Sequence, residues 1–319
     1  MRIAVIGTGG VGGYFGAKLA QAGHDVAFVA RGAHLAALQA GGLRIESAGG
    51  DIVLPRITAT DDPASLAPVD IVMFCVKLWD VERGAAQVAP LVARGGVVIP
   101  FQNGIDSPSI LTRVLGAEHV LGGVAYVAAS IRAPGVIAHV GSMARLRVGA
   151  FTTPDPPPAG RGEGATLAEL AQRFVAACTA AGIEAELAAD INRAIWEKFV
   201  FLNALSGLTC LARQPLGVVR ADPDLRATFE AAIRETVAVA AAQGVGFAED
   251  FIVRQLRALD GLPAEMRASM LHDLAAGRRL EAPWLAGRVA ELARRSGIAA
   301  PVNATIYAAL KPYLNGTPH

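Results

Sequence analysis

The chain has little that would tie it to a membrane, to nucleic acid or to an oxidising compartment. Only three of its 319 residues are cysteine. Cys75, Cys178 and Cys210 are widely spaced and odd in number, so they are expected to be reduced, small hydrophobic residues of a cytoplasmic protein rather than a disulfide framework. No apolar run reaches about 18 residues without a charge, so no membrane-spanning helix is expected. Met1-Arg2 leads straight into a strand, so no signal peptide is expected either. Charge of one sign is not in excess. The 29 basic and 28 acidic residues give no reason to expect nucleic acid or an anionic membrane as partner. No His/Cys/Asp cluster has metal-ligand spacing, so no metal is expected. Aromatics make up only 6% of the chain against 53% apolar residues, so the core is built mainly from Ala, Val and Leu. Lysine is scarce beside arginine, which makes a lysine in an apolar stretch conspicuous.

The first thirty residues carry the clearest pattern. Arg2-Ile3-Ala4-Val5-Ile6 is a short apolar run rich in β-branched residues and reads as a buried strand. From Val11 to Ala22 the pattern changes to helix, and Asp25 to Ala30 is a second strand. Gly7-Thr8-Gly9-Gly10-Val11-Gly12 therefore places a G-x-G-x-x-G at a strand-to-helix junction inside a βαβ unit. Gly7 suits the tight turn, Gly9 lets a pyrophosphate approach the backbone, and Gly12 lets helix pack on strand. The helix N-terminus then offers free N–H groups and the positive end of its dipole to the phosphates. A glycine-rich turn without a ligand is the plainer alternative.

Which dinucleotide binds depends on the tip of the second strand. NAD-binding units place an Asp or Glu there for the ribose 2′-hydroxyl. This strand ends Val29-Ala30-Arg31-Gly32, with Asp25 at its opposite end. A guanidinium at Arg31 is suited to a 2′-phosphate, so the expected cofactor is NADP(H). An ordinary solvated loop charge is the other reading of Arg31.

Further along, Leu35 to Gln39 fits a short helix, and Leu43 to Glu46 with Ile52 to Leu54 a small hairpin. Asp70 to Val76 and Val97 to Ile99 read as parallel strands, with a helix from Trp79 to Ala89 between them. Gly7, Arg31, Lys77 and Asn103 all fall at strand carboxyl ends, where open α/β sheets bind ligands. Segments 124–131, 136–140 and 144–148 suggest an antiparallel extension of this sheet. Residues 152–164, with four prolines and three glycines, suggest an exposed loop. A helix over 167–181 and a strand over 183–187 return to the first domain. Beyond Asp190 every segment is helical in pattern: about 191–206, 222–243, 248–259, 264–276, 283–296 and 302–314, with turn signals that include Gly207. The expectation is an α/β, Rossmann-type dinucleotide-binding domain over 1–189, then an all-helical domain over 190–319 that carries catalytic and substrate-binding side chains.

In that helical part, Lys198 lies in Ile195-Trp196-Glu197-Lys198-Phe199-Val200-Phe201. A lysine there either snorkels to solvent or is held in a partly dry cleft, where desolvation lowers its pKa and makes it a usable proton donor. Glu281 precedes Pro283 and lies near a predicted helix start, where a carboxylate is stabilised as an anion or is merely a first-turn charge. His119 and His272 read as structural.

Taken together, the glycine loop, Val76-Lys77, Gln102-Asn103-Gly104, Trp196-x-Lys198, and Ser269-Met270-Leu271-His272-Asp273 followed by Glu281 resemble the ketopantoate reductase family over nearly the whole chain. The resemblance implies that Lys198 donates the proton to the substrate carbonyl oxygen. It implies that Glu281 binds the substrate hydroxyl and supports catalysis, and that Ser269 contacts the substrate carboxylate. It also implies that Lys77 and Asn103 sit between cofactor and substrate, and that Arg31 meets the NADP phosphate. The pattern departs from the family at three places. Leu202 and Ser206 stand four and eight residues beyond Lys198, where asparagines are common, and Asn203 lies about 100° further round the helix. Near Glu281, Pro283 and Ala286 replace polar residues.

The expected function is therefore NADPH-dependent reduction of ketopantoate to pantoate, a step of pantothenate biosynthesis. A more apolar 2-oxo acid substrate, favoured by Leu202, and a non-catalytic NADPH-binding sensor are the alternatives. The retained Lys198 and Glu281 argue against the sensor. A homodimer is one assembly open to such a chain.

Overall fold

The computed structural model describes residues 1–151 and 165–317. The loop expected over 152–164 lies outside the described residues. By internal contacts the chain divides into two units, one of residues 1–102 with 106–194, the other of residues 103–105 with 195–319.

The first unit opens with β1 (Arg2–Ile6), α1 (Gly10–Gln21), β2 (Asp25–Val29) and α2 (Gly32–Gly41). There follow β3 (Leu43–Ser47), β4 (Ile52–Leu54), β5 (Thr58–Thr60), β6 (Ile71–Phe74), α3 (Val81–Val92), β7 (Val97–Pro100) and α4 (Ser107–Leu115). It closes with β8 (Gly122–Ala133), β9 (Val136–Gly149), α5 (Leu167–Ala180) and β10 (Glu184–Leu187). Strands β5-β2-β1-β6-β7 form a parallel sheet in that order. Both its faces are covered, which is why its inner strands are nearly continuous apolar runs, while the edge strand β5 is polar. Ile3 and Val5 of β1 enter one core with Phe15 and Phe28, while Ala4 and Ile6 enter another with Phe74, Val88 and Leu91.

The segments expected to extend this sheet instead build a second one. β8 and β9 pair antiparallel through the turn at Gly135, and β9 pairs in parallel with β3 and with β10, while β4 closes the edge beside β3. Ile137, Leu146 and Val148 turn inward onto the core that holds Phe15. Helix α1 is thus packed on two sides. A Cβ at Gly16 would come within 2.8 Å of Val5 and Phe28 of the first sheet, and one at Gly13 within 1.9 Å of Ile137 of the second. The glycine richness of α1 therefore serves helix packing well beyond the phosphate loop.

Among the described residues the second unit is helical, apart from its connecting segments and one isolated bridge between Arg279 and Asn315. Helix α6 (Ile191–Ala212) crosses the division between the units and is followed by α7 (Leu216–Ala221), α8 (Pro223–Ala242) and α9 (Phe251–Gly261). Then come α10 (Ser269–Ala275), α11 (Ala286–Ser296) and α12 (Pro301–Leu310). Helix α6 runs six residues past the expected stop, through Gly207. A Cβ there would sit 3.0 Å from Ile306 of α12, so this glycine is a close helix–helix contact and not a terminator. The expected helix over 264–276 begins only at Ser269, and the one expected from Pro283 is a short 3-10 turn, Ala282–Trp284, before α11. By length and composition α6 could cross a bilayer, but 72% of its most apolar window is buried, so that surface goes into the core.

Candidate active site

The glycine loop is tied to the tip of β2. Gly7 and Thr8 donate their N–H groups to the Val29 carbonyl at 3.1 and 3.0 Å, and the Thr8 hydroxyl donates to the same oxygen at 3.0 Å. Gly7 sits at φ +94°, and a Cβ there would meet the Cys75 backbone at 2.8 Å, while one at Gly12 would lie 2.4 Å from the Gly7 carbonyl. A Cβ at Gly9 would meet nothing within 4 Å. Gly9 is the N-cap of α1, with no side chain capping the helix and no acidic residue in its first turn. The first intrahelical bond is Gly13 to Gly9, so the N–H groups of Gly10, Val11 and Gly12 precede the ladder. An open cradle at Gly9, ahead of uncapped N–H groups at a helix N-terminus, fits the pyrophosphate of a dinucleotide. Gly10 has a packing reason of its own, because a Cβ there would lie 2.0 Å from the Ala129 carbonyl oxygen of β8.

Arg31 is the N-cap of α2 but makes no side-chain capping bond, and its side chain is 52% exposed. Its Nη1 lies 4.0 Å from Asp80 Oδ1, and Arg83 Nη2 lies 3.1 Å from that same oxygen. Asp80 was not singled out from the sequence. It closes the turn Leu78–Asp80 six residues beyond β6, and its position after a strand carboxyl end was the available signal. Lys77 is exposed at the start of that turn, with its ammonium 5.6 Å from the centre of the Trp79 ring.

Within the second unit, three of the expected site residues meet. Lys198, on the second turn of α6 and half-buried, donates from Nζ to Asn103 Oδ1 at 2.9 Å. Burial pulls its pKa down to about 8, and the negative charge of Glu281 pushes the other way. Glu281 is buried, at 6% exposure, and its carbonyl accepts from the Trp284 N–H at 3.0 Å in the turn that contains Pro283. A cation half removed from water, beside a buried carboxylate and an amide oxygen, is a group held close to proton exchange near neutral pH.

The neighbouring positions differ from one another. Leu202, one turn beyond Lys198, is half-buried. Asn203 turns into the core: its Nδ2 donates to Asn303 Oδ1 at 2.6 Å and to Thr236 Oγ1 at 3.1 Å, while Asn303 donates to Glu235. Its amide thus joins α6 to α8 and α12. Ser206 is 1% exposed. Ser269 is exposed on the first turn of the seven-residue helix α10. His272 is exposed on α10, and His119 bonds the Gly96 carbonyl through Nδ1 at 3.0 Å. No group of His, Cys, Asp and Glu among the described residues could hold a metal. Cys75, Cys178 and Cys210 are unpaired, and burial pushes each thiol well above its usual pKa, which makes poor nucleophiles of them.

Residues 3–153 match the family model described as ketopantoate reductase PanE/ApbA, and residues 190–314 match that of its C-terminal region. The chain is 33% identical over 309 residues to a 2-dehydropantoate 2-reductase of Halobacterium salinarum, with 96% of each chain covered. A solved 2-dehydropantoate 2-reductase of Geobacter metallireducens is 30% identical, with a TM-score of 0.86 over 98% of this chain and 99% of that one. A D-mandelate dehydrogenase solved with NADH and anilino(oxo)acetate is 19% identical, with a TM-score of 0.86 over 98% of each chain, a likeness of fold.

Proposed function

This chain belongs to the ketopantoate reductase family, a family of oxidoreductases, and from that premise we propose that it reduces 2-dehydropantoate to pantoate with NADPH. The observation that carries the reading is the bond from Lys198 to Asn103, at a lysine whose pKa lies near 8. NADPH, when bound, supplies the hydride. Carbonyl reduction also needs a proton at oxygen, and Lys198 is the group suited to deliver it. An ammonium carries three donors; Asn103 takes one and so sets the direction of the others. As negative charge develops on the substrate oxygen, Nζ hydrogen-bonds to it and passes its proton, which leaves a neutral amine for solvent to reprotonate. A donor with a pKa near the working pH is close to the best compromise between being charged and giving up its proton.

Glu281 keeps the lysine charged and offers an acceptor for the substrate's hydroxyl. The exposed Ser269 hydroxyl is assigned to the substrate carboxylate on the strength of the family pattern. Gly7, Thr8, Gly9, Gly10, Val11 and Gly12 are assigned to the pyrophosphate, Arg31 to the 2′-phosphate, and Lys77 to the cofactor side. With 2-dehydropantoate present, the protein is expected to consume NADPH. Its kcat/KM should be level below about pH 8 and fall about tenfold per unit above it, because only the protonated lysine is an acid. A protein that consumes no NADPH with this substrate at any pH would overturn the proposal.

Leu202 favours a second reading, in which a more apolar 2-oxo acid is the better substrate. Residues four apart share a helix face, so Leu202 flanks Lys198, and it is half-buried where Ser206 on the same face is nearly sealed. A polar substrate group pressed on leucine without a partner costs on the order of 1–3 kcal/mol. The KM for 2-dehydropantoate is therefore expected to be high, and Leu202→Asn should lower it by about tenfold. Steady-state kinetics on both proteins check this. A wild-type KM in the low micromolar range, or one that the substitution raises, counts against the role given to Leu202.

A further inference from the structure

The tip of β2 has no carboxylate for a ribose hydroxyl, yet the fold delivers one from a different strand. In the parallel sheet β1 lies between β2 and β6. Arg31 follows β2, and Asp80 follows β6. A single carboxylate oxygen, Asp80 Oδ1, lies 4.0 Å from Arg31 Nη1 and 3.1 Å from Arg83 Nη2. Asp80 precedes α3 as its N-cap but makes no side-chain capping bond, so the carboxylate is given to the arginines and not to the helix. The guanidinium suited to a 2′-phosphate therefore already faces an anion.

We propose that Asp80 sets the cofactor choice of this chain: it opposes the 2′-phosphate of NADPH, accepts the ribose 2′-hydroxyl of NADH, and so lets both cofactors be used with only a modest preference for NADPH. The proposal rests on the reading of Arg31 as the group that faces the adenosine ribose. A phosphate near −2 in charge at Arg31 must displace Asp80 or sit beside it, and like charges at that range repel. Arg83 offsets part of this, because it gives Asp80 a partner when Arg31 turns to the phosphate. With NADH the phosphate is absent, and a hydroxyl donating to a carboxylate is a charge-assisted bond. The acidic residue that dinucleotide-binding units place at the second strand is here supplied by the loop after β6.

The test is fluorescence titration of NADPH and of NADH against wild type, Asp80→Asn, Arg83→Ala and Arg31→Ala, with kcat/KM for both cofactors alongside. Asp80→Asn keeps the size of the side chain and removes its charge. It should tighten NADPH by about tenfold and weaken NADH several-fold, the scale of one like-charge contact removed from a partly exposed site. Arg83→Ala should move the NADPH to NADH ratio the opposite way. Equal shifts for both cofactors in Asp80→Asn, or none, overturn the proposal. If wild type binds NADH alone and Asp80→Asn gains NADPH, Asp80 still governs the choice, but the expected use of both cofactors is overturned and the NADPH assignment fails with it. If Arg31→Ala loses NADPH selectively while Asp80→Asn changes nothing, the NADPH assignment stands and the proposal fails.

Discussion

Lys198→Ala is expected to lower kcat by at least about a hundredfold, the low end for the loss of a positioned general acid, with NADPH affinity little changed. The two halves of the expectation come from different parts of the chain. The proton donor belongs to the helical unit, where Nζ is bonded to Asn103, whereas the glycine loop and Arg31 belong to the other unit. Removing the side chain leaves the buried Glu281 carboxylate without its opposing charge, so some loss of stability is expected too, and thermal unfolding of the variant separates that from the loss of the acid. Lys198→Arg is the sharper control. A guanidinium keeps the charge but does not give up a proton near neutral pH, so a charge that only orients substrate would be rescued and a proton donor would not. Turnover within a few-fold of wild type in the alanine variant would return Lys198 to the status of a snorkelling helix residue.

Glu281→Gln is expected to move the acid limb itself. The carboxylate raises the lysine pKa against the pull of burial, so its neutral isostere should let that pKa fall below about 8. The sign follows directly. Activity depends on the ammonium form, a lower pKa empties that form at lower pH, and the fall in kcat/KM should therefore begin at a more acidic pH than in wild type. At pH 8 the loss should be at least about tenfold, since both the proton and the acceptor for the substrate hydroxyl are affected. Glu281→Asp, which restores the charge, should bring the limb back toward about 8 while leaving KM raised. A Glu281→Gln profile that keeps its limb in place would mean that Glu281 does not govern the protonation of Lys198. Thermal unfolding of the same variants separates this from a general loss of the buried turn around Pro283.

Lys198 shows how far the sequence speaks for itself. An apolar helix with a lysine at position 198 is visible in the one-dimensional pattern, but whether the ammonium escapes to solvent or is held is not. Burial decides it, and the groups that meet the ammonium come from elsewhere: Asn103, 95 residues away along the chain, accepts its hydrogen bond, and the charge of Glu281 works against the effect of burial. The same limit explains the helix ends. Gly207 has the composition of a stop and the function of a contact, because the nearness of Ile306 is a matter of which helix lies alongside.

What the sequence by itself determined is local. A strand, a glycine loop and a helix within some twenty residues specify the first βαβ unit, because strand period, turn chemistry and helix propensity all act at short range there. The doubly covered parallel sheet follows for the same reason: its strands β1, β6 and β7, apolar at nearly every residue, have to be buried on both faces. The helical character of the last third is likewise written in its periodicity. Only the tertiary structure decided where the β8–β9 hairpin goes, since an alternating apolar face states that it must be buried and not against what, and here it packs over α1. Only the tertiary structure set Asp80 beside Arg31, because loops after two different strands become neighbours through the order in which the strands pair. And only the tertiary structure took the lysine out of water far enough to bring its proton within reach of chemistry at neutral pH, because desolvation is a property of everything packed around a group and of nothing in the residue itself.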